Sequence, residues 1–196
     1  MTRIAPIQPE PSAEFRTLEA LCLDTLGFVP NSVLNMLRIP GLAPALGAMN
    51  RALMDQGCVD AGFKRLVAHM ASRAAGCAYC MAHTVAGAQL KGVDPDKLDD
   101  LWDFERSAQY SAAERVALVF ALAAAQVPNA VDEALLDSMR QHWSDDQILE
   151  ITGVVALFGF LNRWNDTLAT PLEHHPRNAA QRHLAPRGWE PGKHGA

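Results

Sequence analysis

The stretch that most limits the fold runs from Ser144 to Pro171. Ser144-Asp145-Asp146-Gln147 has the spacing of a capping box, in which a serine and the residue three positions on satisfy free backbone N–H groups at a helix start. It opens the longest apolar run of the chain, Ile148 to Leu161, which continues through Asn162-Arg163-Trp164-Asn165 to about Ala169 before Pro171 ends it. A helix this long, apolar around much of its circumference, has to be covered on several sides. One small domain hides only part of such a surface, so the run, with Val116 to Leu122, predicts a homo-oligomer.

The rest of the chain carries the same kind of signal. Apolar residues recur at helical spacing from Ser12 to Leu26, stopped by Gly27, and a short helix is expected over Ser32–Arg38. Further helices are expected over Leu42–Gln56, from an Asp60 cap to Ala75, from Cys77 to Lys91, and from Asp94-Pro95 to Phe104. Ser111-Ala112-Ala113-Glu114 is another capping box, with its helix reaching Gln126, and Asp132 caps a helix to His142. No strand alternation, hairpin dipeptide or glycine-rich phosphate loop is present, so the chain reads as all-α. Residues 1–172 form the expected helical domain; residues 1–11 read as an extended arm and 173–196 as an irregular tail.

Chemistry concentrates in Cys77-Ala78-Tyr79-Cys80-Met81-Ala82-His83. Residues three apart on a helix share a face, so Cys77, Cys80 and His83 make one strip. Two close thiols with an imidazole beside them suit thiol redox chemistry, and a helix N-terminus is expected to lower the thiol pKa. Two other readings stay open: a zinc site, for which a second Cys-x-x-Cys is missing, and two cysteines serving as small apolar core residues. Cys22 reads as core filler and Cys58 as isolated, so the reversible disulfide is expected between Cys77 and Cys80 alone. His69 lies in a row with Arg65 and Arg73 on the preceding helix and is a second candidate for proton transfer; the two arginines could stabilise a thiolate but read first as solvent-facing. The scattered His174, His175, His183 and His194 suggest no metal site.

A net charge of −5 speaks against a nucleic-acid surface. No apolar run is long enough for a bilayer, and the first fifteen residues lack the apolar core of a signal peptide. With so few cysteines, the expected compartment is the cytoplasm.

The segments Lys64-Arg65-Leu66-Val67-Ala68-His69 and Ser72-Arg73-Ala74-Ala75-Gly76-Cys77-Ala78-Tyr79-Cys80-Met81-Ala82-His83-Thr84 resemble the carboxymuconolactone decarboxylase superfamily, in its alkylhydroperoxidase D-like, peroxidase-related branch. Gly27-Phe28-Val29-Pro30-Asn31 and Leu161-Asn162-Arg163-Trp164-Asn165 look like that branch too. The resemblance implies an all-α fold, assembly into trimers or hexamers with a dimer as the smaller alternative, and no metal or other cofactor. It implies antioxidant reduction of a small hydroperoxide by the thiol pair, with an external dithiol or thioredoxin-like reductant. Carried over, Cys80 is peroxidatic, Cys77 is the more exposed, resolving cysteine, and His83 serves the proton relay. The relay glutamate of the best-known members falls on Arg65 here, which leaves His69, one turn on, as its candidate replacement. The rival functions are a zinc-binding or structural module and a non-redox, lyase-type member of the same superfamily.

Overall fold

The computed structural model describes residues 3–195, so Met1 and Thr2 of the expected arm lie outside the described residues. The helices run α1 (Ala13–Leu26), α2 (Asn31–Met36), α3 (Leu42–Met54), α4 (Ala61–Ala74), α5 (Ala78–Leu90), α6 (Pro95–Asp99), α7 (Ala112–Ala124), α8 (Glu133–Arg140), α9 (Asp145–Leu168) and α10 (His174–His183). Among the described residues there is no strand. Both capping boxes form: Ser111 with Glu114 at α7 and Ser144 with Gln147 at α9.

Helix α4 is the axis of the fold. It packs against α5, α7 and α9, and every residue from Gly62 to Ser72 is buried. The main core gathers Leu66, Met70, Leu118, Ile151 and Leu157 around it, and each such side chain contributes roughly 1.5–3 kcal/mol by leaving water. A smaller cluster of Leu18, Cys22, Met36 and Ala43 joins α1, α2 and α3, backed by Leu161 and Trp164 of α9.

Two expectations need correcting. The helix expected over Asp94–Phe104 is cut at Asp100, whose carboxylate accepts from Ser107 Oγ at 2.7 Å; a single 3-10 turn, Leu101–Asp103, follows. The segment 173–196 is not irregular. It forms α10 and two 3-10 turns, Ala185–Arg187 and Gly192–His194, and α10 packs against α5. Ala179 and Ala180 are buried in α10, and α5 offers the small residues Ala82 and Ala86, so the two helices approach closely. Polar ties lock the contact: buried His183 donates from Nδ1 to Asp99 at 2.5 Å and accepts from Gln89 at 2.8 Å, while Trp189 Nε1 donates to the Ala78 carbonyl.

Candidate functional site: a thiol pair at a helix start

The α4–α5 junction places the cysteines. Gly76 has φ 69°, a left-handed conformation that costs an L side chain roughly 1–2 kcal/mol. This turn makes Cys77 the N-cap of α5, with its sulfur accepting the Cys80 N–H at 3.4 Å. Cys80 therefore sits in the first helical turn, as does Tyr79.

A cavity of about 140 Å³ lies over Cys80, at the seam between the two hydrophobic clusters. Its wall is mainly apolar, with Leu18, Leu21, Met36, Leu46, Phe158 and Leu161, and the polar groups that reach it include Arg65, Asp55, His83 and Asn165. Cys80 lines it; Cys77 does not. Cys77 is fully buried at 0% exposure against 2% for Cys80, so the expectation that the first cysteine is the more exposed is corrected: capping its own helix draws its sulfur inward.

The helix-start effect on Cys80 is also outweighed. Burial, and then the neighbouring Cys77 sulfur, push its thiol well above the ordinary range, while the Asn165 amide, donating to Cys80 Sγ at 3.6 Å, works the other way. Cys80 thus rests as a thiol and needs a base when it reacts.

His83 lines the same cavity. Its Nε2 meets the Glu173 carboxylate at 2.7 Å, and its ring stacks on Tyr79 with centroids 4.2 Å apart. Glu173 also accepts from the Tyr79 hydroxyl at 2.9 Å and the Asn31 N–H at 2.5 Å. Burial alone would raise this carboxyl, but the His83 charge and hydrogen bond, with the Asn31 N–H, hold it below the ordinary carboxylate range. The carboxylate holds a hydrogen on Nε2, so that whenever the ring carries no charge the lone pair of a base sits on Nδ1.

Glu173 was invisible to the sequence reading because it belongs to the segment read as an irregular tail. The only signal was its place just before a run able to form a helix, and nothing local tied that run to α5.

His69 is brought to a different place. It is fully buried, does not line the cavity, and both ring nitrogens are engaged: Nδ1 with Thr84 Oγ1 and Nε2 with the Trp102 indole N–H, each at 3.1 Å. Burial lowers its pKa to about 3, so it is neutral and helps to join α4 to α5.

Arg65 does not face solvent, and Arg73 does so only in part. Arg65 is buried on the cavity wall and pairs with Asp55 at 3.2 Å. A Cβ on Gly87 would come within 3.3 Å of Arg65 Cδ, so the glycine leaves room for that chain across α5. Arg73 lies half-buried over the Trp102 ring, 5.1 Å from its centroid. Cys22 lines the cavity as a thiol raised to about 11 by burial, and exposed Cys58 is bound to Glu150 at 3.1 Å.

Residues 40–125 match the carboxymuconolactone decarboxylase family. Among solved structures, the apo debrominase Bmp8 is 31% identical, with a TM-score of 0.85 over 91% of this chain and 96% of its own. A cysteine-to-alanine variant of Bmp8 in complex with 2,3,4-tribromopyrrole is 30% identical, with a TM-score of 0.86 over 92% and 97%. An uncharacterized peroxidase-related protein from Ralstonia eutropha JMP134, described as an alkylhydroperoxidase AhpD core, is 25% identical, with a TM-score of 0.76 over 88% and 95%. The uncharacterized Escherichia coli K12 protein YnjA is 29% identical over 97 residues, so the match spans 50% of this chain and 53% of that protein.

Proposed function

The chain belongs to the carboxymuconolactone decarboxylase/AhpD-like superfamily, and from that premise we propose that it is a thiol-pair reductase acting on a small, apolar hydroperoxide. The observation that carries the reading is a single one: Cys80 and His83 line one cavity, with Cys77 directly behind Cys80. His83, held by Glu173, takes the Cys80 proton through the cavity. The thiolate attacks the distal peroxide oxygen, the O–O bond breaks, and the alcohol leaves with a proton, giving Cys80 sulfenic acid. Cys77 then condenses with it, releasing water and forming the disulfide, which an external dithiol reduces. The cavity is close in size to the roughly 150 Å³ that admits a single benzene ring. It therefore favours organic over hydrogen peroxide.

The same cavity supports a second reading, reductive dehalogenation of a small aromatic ring, because a relative with this fold is a debrominase solved with a brominated pyrrole. In that chemistry the Cys80 thiolate takes the halogen while the ring carbon takes a proton. Cys77 then displaces halide to give the same disulfide.

The deciding experiment follows Cys77–Cys80 disulfide formation by mass spectrometry, with an aromatic hydroperoxide in one arm and a bromopyrrole in the other, each with a dithiol donor. Turnover of the hydroperoxide that is lost in Cys80→Ser supports the first reading. Turnover of the bromopyrrole alone favours the second, and a chain that forms no disulfide with either sinks both. Leu149 and Phe160, 68% and 40% exposed on α9, support self-association as part of this proposal, which light scattering checks.

A further inference from the structure

We propose that Cys77, Asp166 and His194 form a zinc site separate from the cavity over Cys80. None of the three lines that cavity, and their ligand atoms all lie within 4.8 Å of one another. Tetrahedral zinc, with sulfur at about 2.3 Å and nitrogen or oxygen at about 2.0–2.2 Å, needs ligand atoms roughly 3.2–3.8 Å apart. His194 Nε2 and Asp166 Oδ1 are already at 3.6 Å.

The imidazole is the strongest indication. His194 is 1% exposed, and its Nε2 makes no hydrogen bond within 3.5 Å; the Asp166 carboxylate lies just beyond, at 3.6 Å. Its Nδ1 donates to the Thr170 carbonyl at 2.8 Å, which puts the hydrogen on that nitrogen and the lone pair on Nε2. A backbone carbonyl on one nitrogen and a bare lone pair on the other is how metal-binding histidines are held. A buried polar atom without a partner is otherwise costly.

Asp166 is oriented from behind by Lys193, which binds Oδ2 at 2.7 Å and leaves Oδ1 facing His194. The carboxylate is 37% exposed and so opens a path for an ion to a site whose other two groups are buried. A thiolate, an imidazole and one carboxylate suit zinc; magnesium and calcium want oxygen ligands throughout. The fourth position is left for water.

Binding replaces the thiol hydrogen: Zn²⁺ takes the place of the Cys77 proton, which goes to solvent, so one proton is released per ion. A zinc-bound Cys77 cannot condense with oxidised Cys80, so the ion holds the pair out of its cycle. That consequence rests on the thiol-pair reading; the site itself does not.

The test titrates Zn²⁺ alone into the reduced full chain against a chromophoric chelator. Co²⁺ in its place reads the sulfur ligand by thiolate-to-metal charge-transfer absorption. One ion per chain is expected. Cys77→Ser should abolish the cobalt band, and Asp166→Asn and His194→Ala should each weaken affinity about tenfold or more, whereas Cys80→Ser should still bind. No binding, or affinity unchanged in Asp166→Asn and His194→Ala, overturns the site. So does loss of binding in Cys80→Ser, which would place the ion on the Cys-x-x-Cys pair. If buried His194 cannot be replaced without unfolding, Asp166→Asn decides the matter. In a final arm, bound Zn²⁺ should slow oxidation to the Cys77–Cys80 disulfide in the wild type and not in Asp166→Asn; zinc that binds and slows nothing overturns the inhibitory consequence.

Discussion

His83 and Glu173 meet at 2.7 Å although Glu173 stands 90 residues further along the chain. This contact joins the helix that carries the thiol pair to the segment after α9. It brings a carboxylate to the imidazole beside the thiol pair.

Glu173→Gln should therefore slow turnover by about 10²-fold, the lower range for a lost acid–base group, with little change in fold by circular dichroism. Because the wild-type carboxyl lies below the ordinary range, it is ionised at both pH 6 and pH 8, and the substitution should slow turnover at each. A turnover rate unchanged by the substitution removes Glu173 from the relay.

Asn165→Leu should raise the apparent pKa of Cys80 and slow its alkylation at neutral pH, since the Asn165 amide at 3.6 Å is the group that opposes burial there. Iodoacetamide kinetics against pH, followed at Cys80 by mass spectrometry, read the shift. Faster alkylation would mean that Asn165 acts by blocking access.

His69 should matter to stability and not to the pH–rate profile. Its pKa is about 3 when folded and 6.5 ordinarily, so the unfolded chain binds the extra proton. Stability is then unaffected above pH 6.5 and falls as pH drops below it, by about 2 kcal/mol at pH 5. His69→Gln should flatten that fall in urea titrations at pH 7 and pH 5. It should also cost about 1–3 kcal/mol at pH 7 through unpaired Thr84 and Trp102 groups. A shifted pH–rate profile would return His69 to the relay.

Glu150 gives a separate signal at lower pH. Burial would raise it, but buried Lys64 at 2.7 Å and the Cys58 and Val59 groups bring it to about 2 from an ordinary 4.5. Its contribution is complete above the ordinary value and is lost as pH falls through 4.5 towards 2. Glu150→Gln should lower the melting temperature at pH 7 and remove that part of the acid transition. A melting temperature unmoved at pH 7 would show that Lys64 finds another partner.

Much of this fold was legible because its signals are local. Ser111, Ser144, Asp60 and Asp132 cap the helices they were expected to cap, and the period of the apolar residues identified α4, α7 and α9. Cys77, Cys80 and His83 were legible for the same reason, as one short helical stretch. The burial of Arg65 and His69 was not legible, because a helix row states which residues share a face, not what covers it. Here α5 covers it, and Gly87 leaves the room that turns Arg65 inward. Glu173 and His194 were out of reach, since their partners come from α5 and from the end of α9.

Glu173 occupies the N-cap position of α10 yet gives its own helix no side-chain cap; its carboxylate is turned to His83, Tyr79 and Asn31 instead. The start of that helix and the charge state of the site are thus one thermodynamic unit. Fraying of the first turn of α10 withdraws the acid from His83, and the cost of fraying includes the broken site. Local opening can proceed at a free energy below that of global unfolding. Heat should then silence the thiol pair while the main core around α4 is still folded, and anything that orders the cavity should be felt as protection of the α10 amides, at a distance from the sulfur atoms.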